Sequence, residues 1–405
     1  MSTLTPPLPT LWTRAFCVLA IAHLLGALGY ASMVLLPLYL THLGGNRAEV
    51  GAIMASAHIA GLLTRPMVGW CLDTFGRRRS LIFGALITAL SLAGVALITE
   101  VGWVAYAVRV VFGIGEGFIF TGFFALATDL IPSERRTEGF ALFGVSGLLP
   151  LLVSPIADLW GVEGGGIRLF LAGVSGLIAL SALLVLWVPE AAQPSTTQGP
   201  ATEDVYKDVS AVVEPTSALR YLIARRLWSL WWSTIAFAGG ASLLMTFASV
   251  VGAARGMEMP TAFWFTYVAG AVAARLIGAK LPEMIGPVRL VSPSLALYGS
   301  GLLTSALTQS SAGMLFAGIL AGVAHGYCFP VLTSLIVSAV ESRYRGRALA
   351  MFTGLWGGAA ILFATLGGMI ADRWSDTHML CIAGLFLCGM SVYARPSRFS
   401  SAKLS

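Results

Sequence analysis

The stretch TRPMVGWCLDTFGRRRS, residues 64–80, passes within a few positions from a long apolar run to an acid, a glycine and three consecutive arginines. Gly76 permits a tight turn between two helices, and the arginines can anchor that turn among the headgroups of a membrane surface. Asp73, at the end of the apolar run, can pair with a basic partner or interact with the N-terminus of a neighbouring helix. The stretch therefore predicts two membrane helices joined by a short, charged connection.

The composition of the whole chain predicts an integral membrane protein. Of its 405 residues, 57% are hydrophobic and 11% are charged, with a mean hydropathy of +0.82, whereas soluble domains carry about 25% charged residues. Twelve apolar runs, each long enough to cross a bilayer as a helix, lie between Phe16 and Tyr393. None alternates apolar and polar residues as the strands of a transmembrane barrel do. We therefore expect an all-α membrane protein with twelve transmembrane helices.

The basic residues predict how the chain crosses the membrane. The formal net charge is +6, and the lysines and arginines fall at the ends of the apolar runs on alternate connections. Outside those runs, only Arg47, Arg168, Arg255 and Arg373 lie on the side opposite to the termini. The positive-inside rule therefore places both termini in the cytoplasm, and the lipid bilayer, not nucleic acid, is the expected partner of this charge. Three lysines against twenty-two arginines and a single asparagine indicate a GC-rich bacterial genome, so we expect the bacterial cytoplasmic (inner) membrane.

The longest polar stretch follows the sixth apolar run and is rich in Pro, Ser, Thr and acids. Such a composition predicts a cytoplasmic linker, which we place at residues 189–226. The linker separates a six-helix half at 16–188 from a second six-helix half at 227–394. Cytoplasmic tails are expected at 1–15 and 395–405.

The two halves are similar in sequence. At a shift of 210 positions, four residues of the opening stretch align with residues of the second half: Arg65 with Arg275, Asp73 with Glu283, Gly76 with Gly286 and Arg79 with Arg289. At a shift of 209, EGF at 116–118 aligns with HGY at 325–327. After a small insertion, IADLW at 156–160 aligns with IADRW at 370–374, a shift of 214. Matches that follow the same order indicate an internal duplication and hence two pseudo-symmetric halves.

Twelve spans, duplicated halves, a central linker and the pattern G-x-x-x-D-x-x-G-R-R-R after the second span together resemble the major facilitator superfamily (MFS) of transporters. The resemblance covers essentially the whole chain. It implies that the charged connection latches the two halves together at the cytoplasmic side and releases them as the transporter opens inward. For Arg78 and Arg79, a role in topology alone stays open as the alternative. The implied gating residues are Arg65, Gly69, Asp73, Gly76, Arg77, Arg78, Arg79, Glu283 and Arg289.

Five ionisable side chains lie within the apolar runs, where each costs about 2.5 to 3.5 kcal/mol to insert, so a functional role is the first hypothesis. These candidates for proton coupling or for the substrate cavity are His23, His58, Arg109, Glu116 and His325. The duplication makes Glu116, in the fourth run, equivalent to His325 in the tenth. The family resemblance implies that spans one, four, seven and ten line a central cavity, so that both residues would face the substrate.

Glu116 is the only acid at mid-membrane depth and is predicted to bind and release the coupling proton. The alternative is a structural hydrogen bond between helices. Arg109 precedes Glu116 by seven residues, which places both on one helix face about 10 Å apart along the axis. The sequence RVVFGIGEG, from Arg109, also resembles the family's fourth-span motif R-x-x-x-G-x-G. For each intramembrane histidine, packing without a chemical role stays open.

Other motifs predict no catalytic chemistry. The sequence GIGEG at 113–117 follows no strand, so it is not a nucleotide-binding loop, and Gly113 with Gly117 predicts close helix packing. The intramembrane histidines have no ligand partner at i+4, and the five cysteines form no CxxC pair, so neither a metal nor a cofactor is expected. Trp228, Trp231 and Trp232 predict an aromatic belt, or a stacking surface for an aromatic or cationic substrate.

The predicted function is secondary transport of a small organic molecule by alternating access, driven by the proton gradient and without enzymatic activity. The sequence LLPLYL at 35–40 is similar to the drug and metabolite exporter branch of the family, which favours efflux by antiport. Two departures from that branch keep uptake open: span one has no acid, and span five has no Gly-Pro-x-x-Gly signature. The alternative is a proton symporter for a small metabolite or organic anion. We expect a monomer.

Overall fold

The structure is a computed structural model, and the residues it describes are 10–132, 135–159, 166–189, 220–278, 281–341 and 344–396. All regular secondary structure in these ranges is helical, which confirms the expected fold class. The chain divides into two compact units. Unit 1 contains Met1–Glu190 and Thr246–Val268, and unit 2 contains Ala191–Met245 and Ala269–Ser405. The segment Thr246–Val268 thus belongs to unit 1, although the sequence predicts that the second half begins at residue 227.

Unit 1 holds eight helices between residues 14 and 185. Helix α3 starts with a capping box, in which Asn46 Oδ1 accepts a hydrogen bond from the Glu49 backbone N–H at 2.9 Å and Glu49 Oε2 accepts one from the Asn46 N–H at 3.0 Å. The helices are α1 (Arg14–Ser32), α2 (Leu36–His42), α3 (Arg47–Thr74), α4 (Arg77–Gly94), α5 (Trp103–Leu130), α6 (Arg136–Leu148), α7 (Ser154–Leu159) and α8 (Gly166–Val185).

Two helices pass from one unit to the other. Helix α9 (Trp228–Ala254) begins in unit 2 and ends in unit 1, and α10 (Ala262–Leu276) begins in unit 1 and ends in unit 2. The remaining helices of unit 2 are α11 (Leu281–Ile285), α12 (Pro287–Leu307), α13 (Ser311–Ser338), α14 (Arg345–Arg373) and α15 (Asp376–Tyr393).

Within the described ranges, nine helical stretches are long and apolar enough to cross a membrane. The apolar stretches Phe143–Asp158 and Ala262–Leu276 are shorter. The remaining predicted span corresponds to α3, which has 28 residues. A helical membrane fold is therefore confirmed, and the count of twelve spans stays a prediction.

Two of the spans predicted as continuous helices are interrupted by 3-10 turns. The first span passes from α1 to α2 through a 3-10 turn at Met33–Leu35, and the fifth passes from α6 to α7 through another at Leu149–Val153. Pro150 stands at the start of the second turn and has no backbone N–H, so the α-helical hydrogen bonds cannot continue through it. Pro37 lies in the first turn of α2, where a missing N–H costs least.

Glycines set the spacing of α5 against α3 and α4. A methyl group on Gly113 would lie 2.0 Å from the carbonyl oxygen of Ala57 in α3, and one on Gly115 would lie 2.4 Å from Thr88 Oγ1 in α4. The helices therefore approach closely where side chains are absent. A methyl group on Gly117 would meet its nearest neighbour, Val68, at 3.6 Å, an ordinary contact. The predicted close packing is confirmed at Gly113 and does not extend to Gly117.

The turns that join α3 to α4 and α11 to α12 have the same backbone geometry. Gly76 has φ +90° and Gly286 has φ +88°, in the region that L side chains rarely adopt. Each glycine stands immediately before the helix that follows it. The structure thus explains why the duplicated motif has a glycine at both positions.

Candidate functional site

The charged connection after α3 is joined to the end of α5. The Arg77 guanidinium forms an ion pair with Asp129, and its Nη1 also donates a hydrogen bond to the carbonyl oxygen of Ala125 at 3.1 Å. Both partners lie in the last turns of α5. Arg77 therefore holds the start of α4 against the end of α5. Its side chain makes specific contacts with the protein, which a residue that only sets membrane topology would not need.

The other predicted gating residues of this connection have different surroundings. Nη1 of Arg78 lies 3.4 and 3.5 Å from the carbonyl oxygens of Leu186 and Val188, just beyond α8. Asp73 and Arg79 are exposed, and Arg65 is half-buried. A methyl group on Gly69 would find open space, so packing does not require glycine there.

The duplicated connection in unit 2 contains Arg289 and Glu283. Arg289 is exposed, and its Nη1 lies 3.4 Å from the carbonyl oxygen of Ile285 in the preceding turn. Glu283 falls in α11, and its side chain lies outside the described residues. The gating role of both residues stays a prediction.

Glu116 lies in the middle of α5, between Gly115, which faces α4, and Gly117, which faces α3. The side chain is half-buried, and its Oε2 has no hydrogen-bond partner within the described part of the chain. A carboxyl oxygen without a partner at this depth is costly as an anion, so the group favours a proton unless a positive charge is near. Arg109 lies two turns away and within electrostatic range. This combination suits a carboxyl that exchanges a proton.

Arg109 is almost fully buried, with 2% of its surface exposed. Its Nη2 donates a hydrogen bond to the carbonyl oxygen of Met54 in α3 at 3.1 Å, and its guanidinium carbon lies 4.9 Å from the centre of the Phe112 ring. The other guanidinium nitrogens, Nε and Nη1, have no hydrogen-bond partner within the described residues. Arg109 thus carries a positive charge with unused donors inside unit 1.

His58 and His23 occupy different environments in unit 1. His58 is half-buried on α3, within electrostatic range of Arg109 and Arg65. His23 is buried on α1 and stacks on Phe143 with ring centres 4.2 Å apart.

The hydrogen bonding of His23 is satisfied on one side. Its Nδ1 lies 2.7 Å from Ser146 Oγ, and that hydroxyl donates to the carbonyl oxygen of Phe143 at 2.6 Å. The hydroxyl proton is used there, so His23 is the donor to Ser146. This packing joins α1 to α6 and supports a structural role for His23, whereas His58 remains beside the charged groups.

His325 is buried in α13 of unit 2 and is surrounded by aromatic rings. The ring centre of Phe237 lies 5.1 Å away, that of Phe329 6.1 Å and that of Trp356 6.5 Å. Phe329 and Trp356 are half-buried, and Arg275 lies within electrostatic range of the imidazole. The equivalent positions Glu116 and His325 thus have different surroundings: Glu116 lies within electrostatic range of Arg109, whereas His325 is surrounded by aromatic rings.

Two pairings were missed by the sequence analysis. Asp129 was not singled out, although an acid one residue before the end of an apolar span, at the end that also carries the arginine cluster, is a usable signal. Asp158 was noted only as part of the repeat, and its Oδ2 accepts hydrogen bonds from Thr261 N–H at 3.0 Å and from Thr261 Oγ1 at 2.8 Å within unit 1. No sequence signal indicates the second pairing, because Thr261 follows 103 residues later.

The described residues contain no cluster of three His, Cys, Asp or Glu side chains able to hold a metal ion. Four ionisable groups of unit 1 lie on two adjacent helices: His58 and Arg65 on α3, and Arg109 and Glu116 on α5. Such groups can bind a proton or an ionic group of a substrate.

Long apolar helices, a charged turn with the same geometry in two duplicated segments and ionisable groups within the spans define the class: a membrane transport protein. The family model of the Major Facilitator Superfamily matches residues 18–283 and 265–403, which is most of the chain. The chain belongs to this superfamily of transporters.

The chain is similar to transporters whose names indicate different substrates. An uncharacterised MFS-type transporter of Salmonella typhimurium is 29% identical over 336 residues, 80% of either chain. Multidrug resistance protein 2 of Bacillus subtilis is 30% identical over 140 residues, and the 3-(3-hydroxy-phenyl)propionate transporter of Escherichia coli is 35% identical over 101 residues; these cover 34% and 25% of either chain. The crystal structure of a D-xylose–proton symporter has a TM-score of 0.76 at 16% identity, covers 94% of this chain and 96% of its own, and shows likeness of fold alone.

Proposed function

We propose that this protein is a proton-coupled secondary transporter that moves a small organic molecule across the bacterial inner membrane by alternating access, with both termini in the cytoplasm. Export is favoured over uptake. The observation that carries the proposal is Glu116, a half-buried carboxyl with an unpartnered oxygen in mid-span, beside the buried charge of Arg109. The protein works as a monomer and needs no cofactor.

The chemistry proposed for Glu116 is proton binding in one state and proton release in another. An isolated carboxylate at this depth is unfavourable, so Glu116 takes up a proton when Arg109 is held by the Met54 carbonyl oxygen. When Arg109 turns its unused donors toward Glu116, or when a charged substrate arrives, the anion is stabilised and the proton leaves. His58, within range of Arg109, is the second proton-binding candidate in unit 1.

The substrate is proposed to carry an apolar or aromatic portion. The rings around His325 in unit 2 present half-buried faces of Phe329 and Trp356, which suit stacking with an aromatic group. The Escherichia coli relative is named as a transporter of 3-(3-hydroxy-phenyl)propionate, which agrees with this chemistry and supports uptake of an organic anion as the second candidate function. The name of the Bacillus subtilis relative, multidrug resistance protein 2, supports efflux.

The test is Glu116→Gln in proteoliposomes, because the amide keeps the size and the hydrogen bonding but cannot titrate. Two probes separate the candidate functions: 3-(3-hydroxyphenyl)propionate for anion uptake and the cationic dye ethidium for export. With a pH gradient, wild-type protein should move one of them uphill. The Gln variant should lose uphill transport and keep exchange of that probe between equal pools.

The matched control is Glu100→Gln, the same substitution at an exposed acid beyond the end of α4. It should transport as the wild type does. Uphill transport by Glu116→Gln with the wild-type dependence on pH would contradict the proposed role of Glu116 and move the assignment to His58 or His325.

A further inference from the structure

The start of α9 carries an exposed patch of mixed character, which we call the α9 patch and define as Arg220, Ile223, Arg225, Arg226 and Trp228. All five side chains are exposed; Ile223 is 48% and Trp228 is 47% accessible. Two large apolar side chains and three arginines thus share a stretch of nine residues. Such a mixture suits a membrane interface, where apolar groups enter the lipid and guanidinium groups remain at the headgroups.

The backbone of the patch is held in place by two indole groups of α9. Nε1–H of Trp228 donates to the carbonyl oxygen of Ile223 at 2.8 Å, and Nε1–H of Trp231 donates to that of Leu222 at 2.7 Å. A 3-10 turn at Arg225–Leu227 leads directly into α9. The arginines therefore project from a fixed turn, and a ligand would find them in a set position.

Arg226 packs against a stack of two tyrosine rings, Tyr221 and Tyr344. Its guanidinium carbon lies 4.3 Å from the centre of the Tyr221 ring, and Tyr221 stacks on Tyr344 with ring centres 4.4 Å apart. The Tyr221 hydroxyl also accepts a hydrogen bond from the Glu341 N–H at 3.3 Å. One face of the Arg226 guanidinium is therefore occupied by an aromatic ring, and its edge donors remain available.

The charge of the patch is not neutralised within the described residues. Among those residues, none of Arg220, Arg225 and Arg226 forms an ion pair. If these arginines only set the membrane topology, neither the 3-10 turn that positions them nor the Tyr221 ring packed against Arg226 would be required. Three exposed guanidinium groups beside exposed Ile and Trp side chains fit an anionic group at the lipid surface.

We propose that the α9 patch binds the headgroup phosphate of an anionic phospholipid in the leaflet that the charge distribution predicts to be cytoplasmic. Arg225 and Arg226 donate hydrogen bonds to the phosphate oxygens, while Ile223 and Trp228 contact the acyl chains. This site is independent of the transported substrate and does not rest on the proposed function.

The test measures lipid binding to the purified full-length protein in detergent by native mass spectrometry. Phosphatidylglycerol is titrated against phosphatidylcholine with the same acyl chains. The wild type should retain phosphatidylglycerol preferentially, and Arg225→Gln with Arg226→Gln should weaken that binding about 30-fold, since each arginine near an anionic surface contributes about fivefold. The control, Arg14→Gln with Arg395→Gln, removes two exposed arginines elsewhere and should leave the preference unchanged.

Two further measurements decide the outcome if the Gln variant is poorly folded or if the ligand is a free phosphate. Arg225→Lys with Arg226→Lys keeps the charge and should keep most of the preference. Soluble glycerol 1-phosphate should not displace the lipid at equal concentration. Equal losses in the two Gln variants, no preference in the wild type, or displacement by glycerol phosphate would each overturn the proposal.

Discussion

Replacement of Gly113 by alanine should destabilise unit 1, because its methyl group has no space. The added carbon would lie 2.0 Å from the carbonyl oxygen of Ala57, and 2.7 and 2.8 Å from that residue's carbonyl carbon and Cα. All three atoms belong to the backbone of α3, so no side-chain rotation relieves the contact. The two helices must separate locally by more than an ångström. Overpacking of this kind costs about 1 to 3 kcal/mol, and the better helix propensity of alanine offsets up to about 1 kcal/mol.

Gly117→Ala is the matched control, since Gly117 lies one turn further along the same face of α5. Its added methyl group meets Val68 at 3.6 Å, which is ordinary contact, so the helix propensity of alanine should dominate. Thermal unfolding of both variants in one detergent should show a lower melting temperature for Gly113→Ala and an unchanged or higher one for Gly117→Ala. Equal melting temperatures would refute the claim that Gly113 sets the distance between α3 and α5.

Three further predictions concern the charged connection. Asp129→Asn and Arg77→Ala should each slow transport at matched expression, and the double variant should be no slower than the worse single one, because both break the same ion pair; additive losses in a flux assay would contradict this. Asp73→Asn should leave insertion intact and reduce flux, whereas wild-type flux would remove Asp73 from the gate. Gly76→Ala should lower stability by about 1 to 2 kcal/mol, as its φ is +90°, while Gly69→Ala, in open space, should be neutral in thermal unfolding.

The helices could be predicted from the sequence because a bilayer demands long apolar runs, and the lengths of those runs are visible without tertiary information. Gly76 could also be predicted as a turn residue, because a short connection between two helices often requires a backbone conformation that glycine adopts most easily. The break at Met33–Leu35 could not, because the turn itself contains only Met, Val and Leu, and its hydrogen bonding depends on the helices packed around it. A proline does mark the break at Leu149–Val153, and that signal was available.

The residues of the candidate site could be predicted from the sequence, but their contacts with one another and with the backbone could not. Charge in an apolar run identifies Glu116 and Arg109, because their cost of insertion makes them exceptional. Their partners depend on contacts across long sequence separations: Arg109 reaches Met54 across 55 residues, and His23 reaches Ser146 across 123. Asp129 could have been noticed from its position at the end of a span, but its pairing with Arg77, 52 residues earlier, could not.

Helix α5 joins the two parts of the proposed mechanism within unit 1. Asp129, in its last turn, binds the charged connection, and Glu116 lies 13 residues earlier on the same helix, about 20 Å along the axis. The close contacts at Gly113 and Gly115 hold this helix against α3 and α4, so α5 cannot shift at Asp129 without changing the surroundings of Glu116. Arg109 belongs to the same helix, while its hydrogen-bond acceptor, the Met54 carbonyl oxygen, belongs to α3. A small tilt of α5 about the close contact at Gly113, which lies between Arg109 and Asp129, would therefore alter the distance between Arg109 and Met54 and free or hold the guanidinium. In the proposed mechanism, one rigid helix would therefore couple the gate to the proton site, and no chain of intermediate side chains would be needed.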